Sequence, residues 1–129
     1  MKKLTAIIAI LFFGSIGFAQ KGAKIEFKAK NNTIDFGIIN KQNDNGIRSF
    51  EYTNTGDAPL IIYSIQSTSS CTILSKQNET VQPGKSGKID IKYNMVPGPI
   101  RKTITVESNA INYDEGRIPL KIKGEVVSL

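Results

Sequence analysis

Lys88-Ile89-Asp90-Ile91-Lys92-Tyr93 alternates charged and apolar residues without a break, and that rhythm decides the fold class. On an extended chain Ile89, Ile91 and Tyr93 share one face, and Lys88, Asp90 and Lys92 share the other. A helix would scatter both sets around its axis, so the segment reads as a strand with one dry and one wet face. Downstream, Thr103-Ile104-Thr105-Val106-Glu107 and Ile118-Pro119-Leu120-Lys121-Ile122 continue the pattern as far as Val126. Upstream it recurs in Lys24-Ile25-Glu26-Phe27-Lys28 and in Arg48-Ser49-Phe50-Glu51-Tyr52. Leu60-Ile61-Ile62-Tyr63 is a continuous apolar run, the pattern of a more central strand.

Turn signals separate these runs. Asn43 to Gly46 precedes the Arg48 strand, and Asn54 to Pro59 follows it. Pro83-Gly84 suits the central pair of a type II turn, where proline fixes φ and glycine accepts a positive value. Pro97-Gly98-Pro99 breaks the chain between the runs at 88 and 103, and Asn112 to Gly116 leads into the last strand. Pro119 lacks a ladder donor and belongs near a strand start or on an open edge. Six to eight short strands with evenly spaced turns and no convincing helix predict an all-β sandwich with antiparallel pairing.

Residues 1–19 stand apart from this pattern. Lys2 and Lys3 precede the apolar stretch Leu4 to Phe13, and Gly17-Phe18-Ala19 supplies small residues where a signal peptidase cuts. The stretch Leu4 to Phe18 is shorter than the roughly 20 residues that span a bilayer. The reading is therefore a signal peptide at 1–19, cleaved after Ala19, and one domain at 20–129 with no transmembrane span after cleavage. The protein is expected to be exported, to the periplasm or the extracellular space. No cysteine lies near the junction to accept a lipid.

The whole chain carries 17 Lys and Arg against 11 Asp and Glu. Loss of Lys2 and Lys3 leaves 15 against 11, a net charge of +4. That balance permits weak attraction to anionic surfaces, or simply a solvated face, because the charges alternate with apolar residues. Nucleic acid is not an expected partner: there is an export signal and no nucleic-acid motif.

The chain contains no histidine, which removes His-dependent triads and His-ligated metals. With one cysteine, Cys71, an intramolecular disulfide is impossible and multi-cysteine zinc sites are excluded by count. A lone exported cysteine is either buried and inert or free to pair between molecules, so Cys71 is the one candidate thiol or interaction site. Pro83-Gly84-Lys85-Ser86-Gly87 has the end of a phosphate loop, but Glu79 stands where its first glycine belongs and a strand follows where a helix should. Asp44 to Gly46 has the start of a calcium loop, but Tyr52 stands where the closing acid belongs. Asp114 and Glu115 are neighbours and on a strand would face opposite ways. Asn31 and Asn78 fit the glycosylation pattern, which matters only in a host that glycosylates exported proteins. No catalytic residue, metal site or cofactor site is expected.

Five segments together resemble a known family. They are Asp35 to Ile39, Phe50 to Ile62, Pro83 to Asn94, Lys102 to Asn109 and Leu120 to Val126. In sequence they resemble the DUF1573 family of exported bacterial proteins, and Asn54-Thr55-Gly56-Asp57-Ala58-Pro59-Leu60 is the most specific part. The resemblance implies an immunoglobulin-like β-sandwich of two antiparallel sheets, about seven strands, akin to ASH, MSP and PapD-like folds. It implies no particular activity. Family members often carry Cys-Gly-Cys-Thr after the third strand, and here the residues are Ser69-Ser70-Cys71-Thr72. A paired-thiol role does not carry over.

These readings favour a non-catalytic binding or scaffolding module of the cell envelope. A protein or other envelope component would dock at a sheet edge or at the loops Lys41 to Gly46 and Ser67 to Gln82. The alternative is a PapD-like chaperone or assembly factor, with Arg48, Arg101 and Lys102 available to grip a carboxylate. A hydrolase built on serine and lysine or on paired acids is a third reading, which no spacing supports.

Overall fold

The computed structural model describes residues 21–76 and 78–128, so the signal peptide reading and the cleavage point lie outside the described residues. Among these described residues nine strands follow in order: β1 Ile25–Phe27, β2 Thr33–Ile39, β3 Ile47–Asn54, β4 Leu60–Gln66, β5 Cys71–Ile73, β6 Glu79–Val81, β7 Ser86–Tyr93, β8 Gly98–Ser108 and β9 Arg117–Val126. Short 3-10 turns at Lys30–Asn32 and Asp114–Gly116 precede β2 and β9. The strands form a four-stranded sheet, β1-β3-β7-β5, and a five-stranded sheet, β2-β9-β8-β4-β6. The all-β sandwich expected from the alternation is present, with the two-sheet immunoglobulin-like form that the family resemblance implied.

Two expectations are corrected. The count is nine rather than about seven, because two passes of the chain are each split between the sheets. β1 lies at the edge of one sheet and β2, five residues on, at the edge of the other; β5 and β6 repeat this at the opposite edges. Nor are both sheets antiparallel, since β2 pairs parallel with β9. The chain crosses between sheets after β1 without reversing. β2 therefore keeps the direction of β1 and runs alongside β9 toward the same pole.

The alternation maps onto burial. Phe50 and Tyr52 of β3 and Ile89, Ile91 and Tyr93 of β7 face Leu60 and Ile62 of β4, Ile104 and Val106 of β8, and Ile118, Leu120 and Ile122 of β9. Burying each such side chain contributes about 1.5–3 kcal/mol, and together these faces hold the sheets in contact. The Leu60–Tyr63 run lies inside its sheet, yet Tyr63 is exposed at a register shift, so this strand too has a wet face. The break before β8 falls earlier than the prolines suggest: Gly98 and Pro99 already belong to β8, at a start that β4 does not reach. Pro119 lies where β9 runs beyond β2, whose pairing begins at Lys121, so its missing N–H leaves no ladder bond unmade on that side. Gln82 to Lys85 closes as the expected turn, with Gly84 at φ 80° and the Lys85 N–H donating to the Gln82 carbonyl at 3.0 Å.

Candidate functional site

The most family-specific stretch serves the fold. Asn54 is fully buried at the end of β3. Its amide donates to the carbonyls of Ala58 and Val81, both at 2.9 Å, and its oxygen accepts from Gly56 N–H at 2.9 Å and Lys24 N–H at 3.4 Å. One side chain thus ties the β3–β4 loop to β6 and to the segment entering β1. Asp57 accepts from Gly22 N–H at 2.8 Å, and Asn112 brackets Ile25, accepting from its N–H at 3.1 Å and donating to its carbonyl at 2.9 Å. At Gly56 a Cβ would collide with the Gly22 carbonyl and come within 2.6 Å of Lys24 N, so this motif needs glycine for close approach.

Cys71, the candidate thiol, opens the short edge strand β5 and is buried. Burial pushes its pKa up, opposed by a hydrogen bond from Ser67 and by the positive charge of Lys102. A protonated, enclosed thiol is a weak nucleophile. Lys102 sits on the core-facing side of β8, opposite Ile122, whereas Arg101 points outward beside Lys123. Arg48 is already engaged: it forms a paired contact with Asp44 at 2.8 and 3.0 Å and lies 4.3 Å from the centre of the Phe36 ring. This contact, with Gly46 N–H, holds the Asp44 carboxyl below its usual range. The fragment of a calcium loop is therefore a turn locked by its own arginine. Among the described residues no cluster of three or more Cys, Asp or Glu could hold a metal, and no helix is long and apolar enough to cross a membrane.

Both loops singled out from the sequence border concavities. Lys41 and Gln42 join Asn40, Met95, Pro97 and Val126 in a cleft of about 270 Å³ at one pole. The Ser67–Gln82 region supplies one wall of a larger groove, about 560 Å³, along the β5–β6 side of the sandwich. Ser75, Lys76, Glu79 and Val81 face Lys85, Ser86, Gly87 and Lys88 across it, with Tyr52 as part of the lining.

The groove exists because β5 stops early. β5 covers only Ile91 to Tyr93 of β7. Leu74 then donates to the Asp90 carbonyl at 2.8 Å, Ser75 Oγ accepts from Asp90 N–H at 2.7 Å, and the chain leaves for the other sheet. Bonds from Tyr93 N–H to Gly46 and from Asn54 N–H to Lys85 set the ladder phase: odd-numbered residues of β7 bond to β3. Ser86 and Lys88 consequently turn their backbone groups toward the groove.

Tyr52 and Gly87 were not anticipated as site residues. They are register partners, and a Cβ on Gly87 would sit 2.7 Å from the Tyr52 hydroxyl. The bare glycine lets the phenol ring lie across β7 and reach the groove. A lone glycine inside an alternating strand was the available signal. Burial and the charge of Glu79 raise the Tyr52 pKa.

The model of the DUF1573 family, described as a protein of unknown function, matches residues 25–126, and the chain belongs to this family. A protein of unknown function from Porphyromonas gingivalis W83 superposes with a TM-score of 0.67 at 19% identity, over 81% of this chain and 47% of that one. This chain thus spans about half of that protein's length. The ASH/PapD-like domain 7 of human CEP192 gives a TM-score of 0.56 at 11% identity, covering 97% of this chain and 99% of that domain. The YadV chaperone gives 0.53 at 13% identity, covering 83% of this chain and 53% of that one. At such identities the likeness concerns the fold alone. No characterised protein matches by sequence.

Proposed function

We propose that this chain, as a member of that family, is a non-catalytic binding or scaffolding module, exported by a signal peptide at residues 1–19 to the bacterial cell envelope, where it holds a protein partner at a sheet edge. The observation that carries this reading is the open edge of β7. Backbone groups of Ser86 and the Lys88 N–H lie beside a groove, free of a neighbouring strand, and the Lys88 carbonyl accepts only a long bond of 3.5 Å from Ser75 Oγ. Such an edge is a template for strand addition. The other edges are less inviting: Asn112 brackets β1, and β2 shifts register between Asp35 and Ile38. The test is in-cell cross-linking of the exported protein followed by affinity purification. A reproducible envelope partner is expected, and none across repeated preparations counts against the module. Intact-mass analysis of exported protein tests the leader, which a chain retaining Met1 refutes.

A chaperone or assembly factor is the second reading, favoured by the fold likeness to YadV. Its carboxylate grip would fall to Arg101 and Lys102, because Arg48 is committed to Asp44. Co-expression that fails to rescue folding of exported subunits sinks this reading.

A further inference from the structure

Three features of the β6–β7 groove converge on one kind of occupant. The first is the unpaired stretch of β7, where a short strand could add in line with β5 and bond at Ser86 and Lys88, displacing the long 3.5 Å bond from Ser75 Oγ to the Lys88 carbonyl. The second is Tyr52. The residue is only 4% exposed and its ring lines the groove. Among the described residues its hydroxyl makes no hydrogen bond, and it opens to the groove rather than being sealed from water, since the one enclosed side-chain polar atom without a partner there is Ser64 Oγ. An acceptor arriving in the groove would pair with the Tyr52 hydroxyl. The third is charge. Lys76, Lys85 and Lys88 line the groove, and none of them pairs with a carboxylate among the described residues. Two acids, Glu79 and Asp90, line it as well, so the three lysines leave it with a positive balance.

We propose that the β6–β7 groove takes an extended acidic peptide segment of a partner protein, added as a strand to β7, with the Tyr52 hydroxyl donating to it and Lys85 and Lys88 facing its carboxylates. This rests on the binding-module reading and names its partner's chemistry. Strand side chains alternate, so the segment carries acids at every second position, on the face shared with Lys88. The intervening side chains point inward toward Tyr52 and Val81 and are small or apolar.

The probe is a set of octapeptides alternating Glu with Val, Thr or Ala, beside matched sets with Lys in place of Glu and with N-methylated backbones. Binding is followed by amide chemical shifts of the signal-free protein. The acidic set should perturb Ser86 to Lys88 most. Lys85→Glu with Lys88→Glu should weaken binding at least tenfold, and N-methylation should abolish it. Tyr52→Phe keeps the ring and removes only the groove-facing hydroxyl, so it should weaken binding several-fold while the free protein melts unchanged. Equal binding of the lysine set, indifference to N-methylation, or no binding by any acidic peptide overturns the proposal. Cross-linking separates this from failure of the module itself. A partner captured equally by wild type and by the double lysine variant leaves the module standing and removes the groove, and capture of a second copy there makes the occupant this chain.

Discussion

Replacing Asn54 by alanine should be among the most damaging polar substitutions in the domain. The side chain is fully buried and makes three contacts at 2.9 Å, to the Ala58 carbonyl, the Val81 carbonyl and the Gly56 N–H. The Val81 contact is buried, so alanine leaves that carbonyl unpaired and out of reach of water, which costs about 1–3 kcal/mol. The other two are partly buried and can recruit water, so each loses roughly 0.5–1 kcal/mol. The total is about 3 kcal/mol, a large share of the ~5–15 kcal/mol that holds a typical domain folded. For a domain of this size that lowers Tm by roughly 10–20 °C. Urea unfolding followed by far-UV circular dichroism measures it, with Asn109→Ala as the comparison. Asn109 bridges Ile61 N–H at 2.8 Å and the Pro59 carbonyl at 3.0 Å in a more exposed setting, and should lose about 1 kcal/mol. An Asn54→Ala loss no larger than that of Asn109→Ala would refute the claim that burial of this amide network is what matters.

Gly56→Ala should destabilise by about 1–3 kcal/mol and raise hydrogen exchange at Gly22 to Lys24, because the added methyl meets that segment's backbone. Asp44 is held below its usual pKa chiefly by its hydrogen bond to Arg48, so its contribution is present above the unfolded carboxylate pKa of about 3.9 and is lost as pH falls through the lower folded value. Asp44→Asn should flatten that acid limb of the stability profile, and an unchanged limb would contradict the pairing. The buried Cys71 thiol has a raised pKa, so it favours folding below its unfolded pKa of about 8.5, and that benefit is lost as pH rises through the folded value. Iodoacetamide should label it slowly in native protein and rapidly in urea, and fast native labelling would show that β5 opens readily.

The fold class was legible because a sandwich writes itself in side-chain alternation. Ile89, Ile91 and Tyr93 are buried as the two-residue rhythm demands, and Gly84 turns the chain where Pro83-Gly84 said it would. The strand count and the parallel pair were not legible. Whether the residues between β1 and β2 reverse the chain or carry it across to the other sheet depends on what packs beneath them, and both outcomes need the same extended residues on either side. The candidate site was half legible. Polarity marked Ser67 to Gln82 as surface, but Tyr52 and Gly87 read as ordinary strand residues until register set them face to face.

Composition and local periodicity suffice for a β-rich chain with one dry face per strand, no histidine chemistry and a single thiol, because both depend only on the order of residues along the chain. Only the folded molecule reveals that β5 is three residues long, that Arg48 is taken up by Asp44, and that a buried tyrosine looks into a lysine-lined groove. The Arg48–Asp44 pair is local, four residues apart, but the others are contacts between residues remote in sequence, and their pairing is fixed by how the two sheets close over a common core.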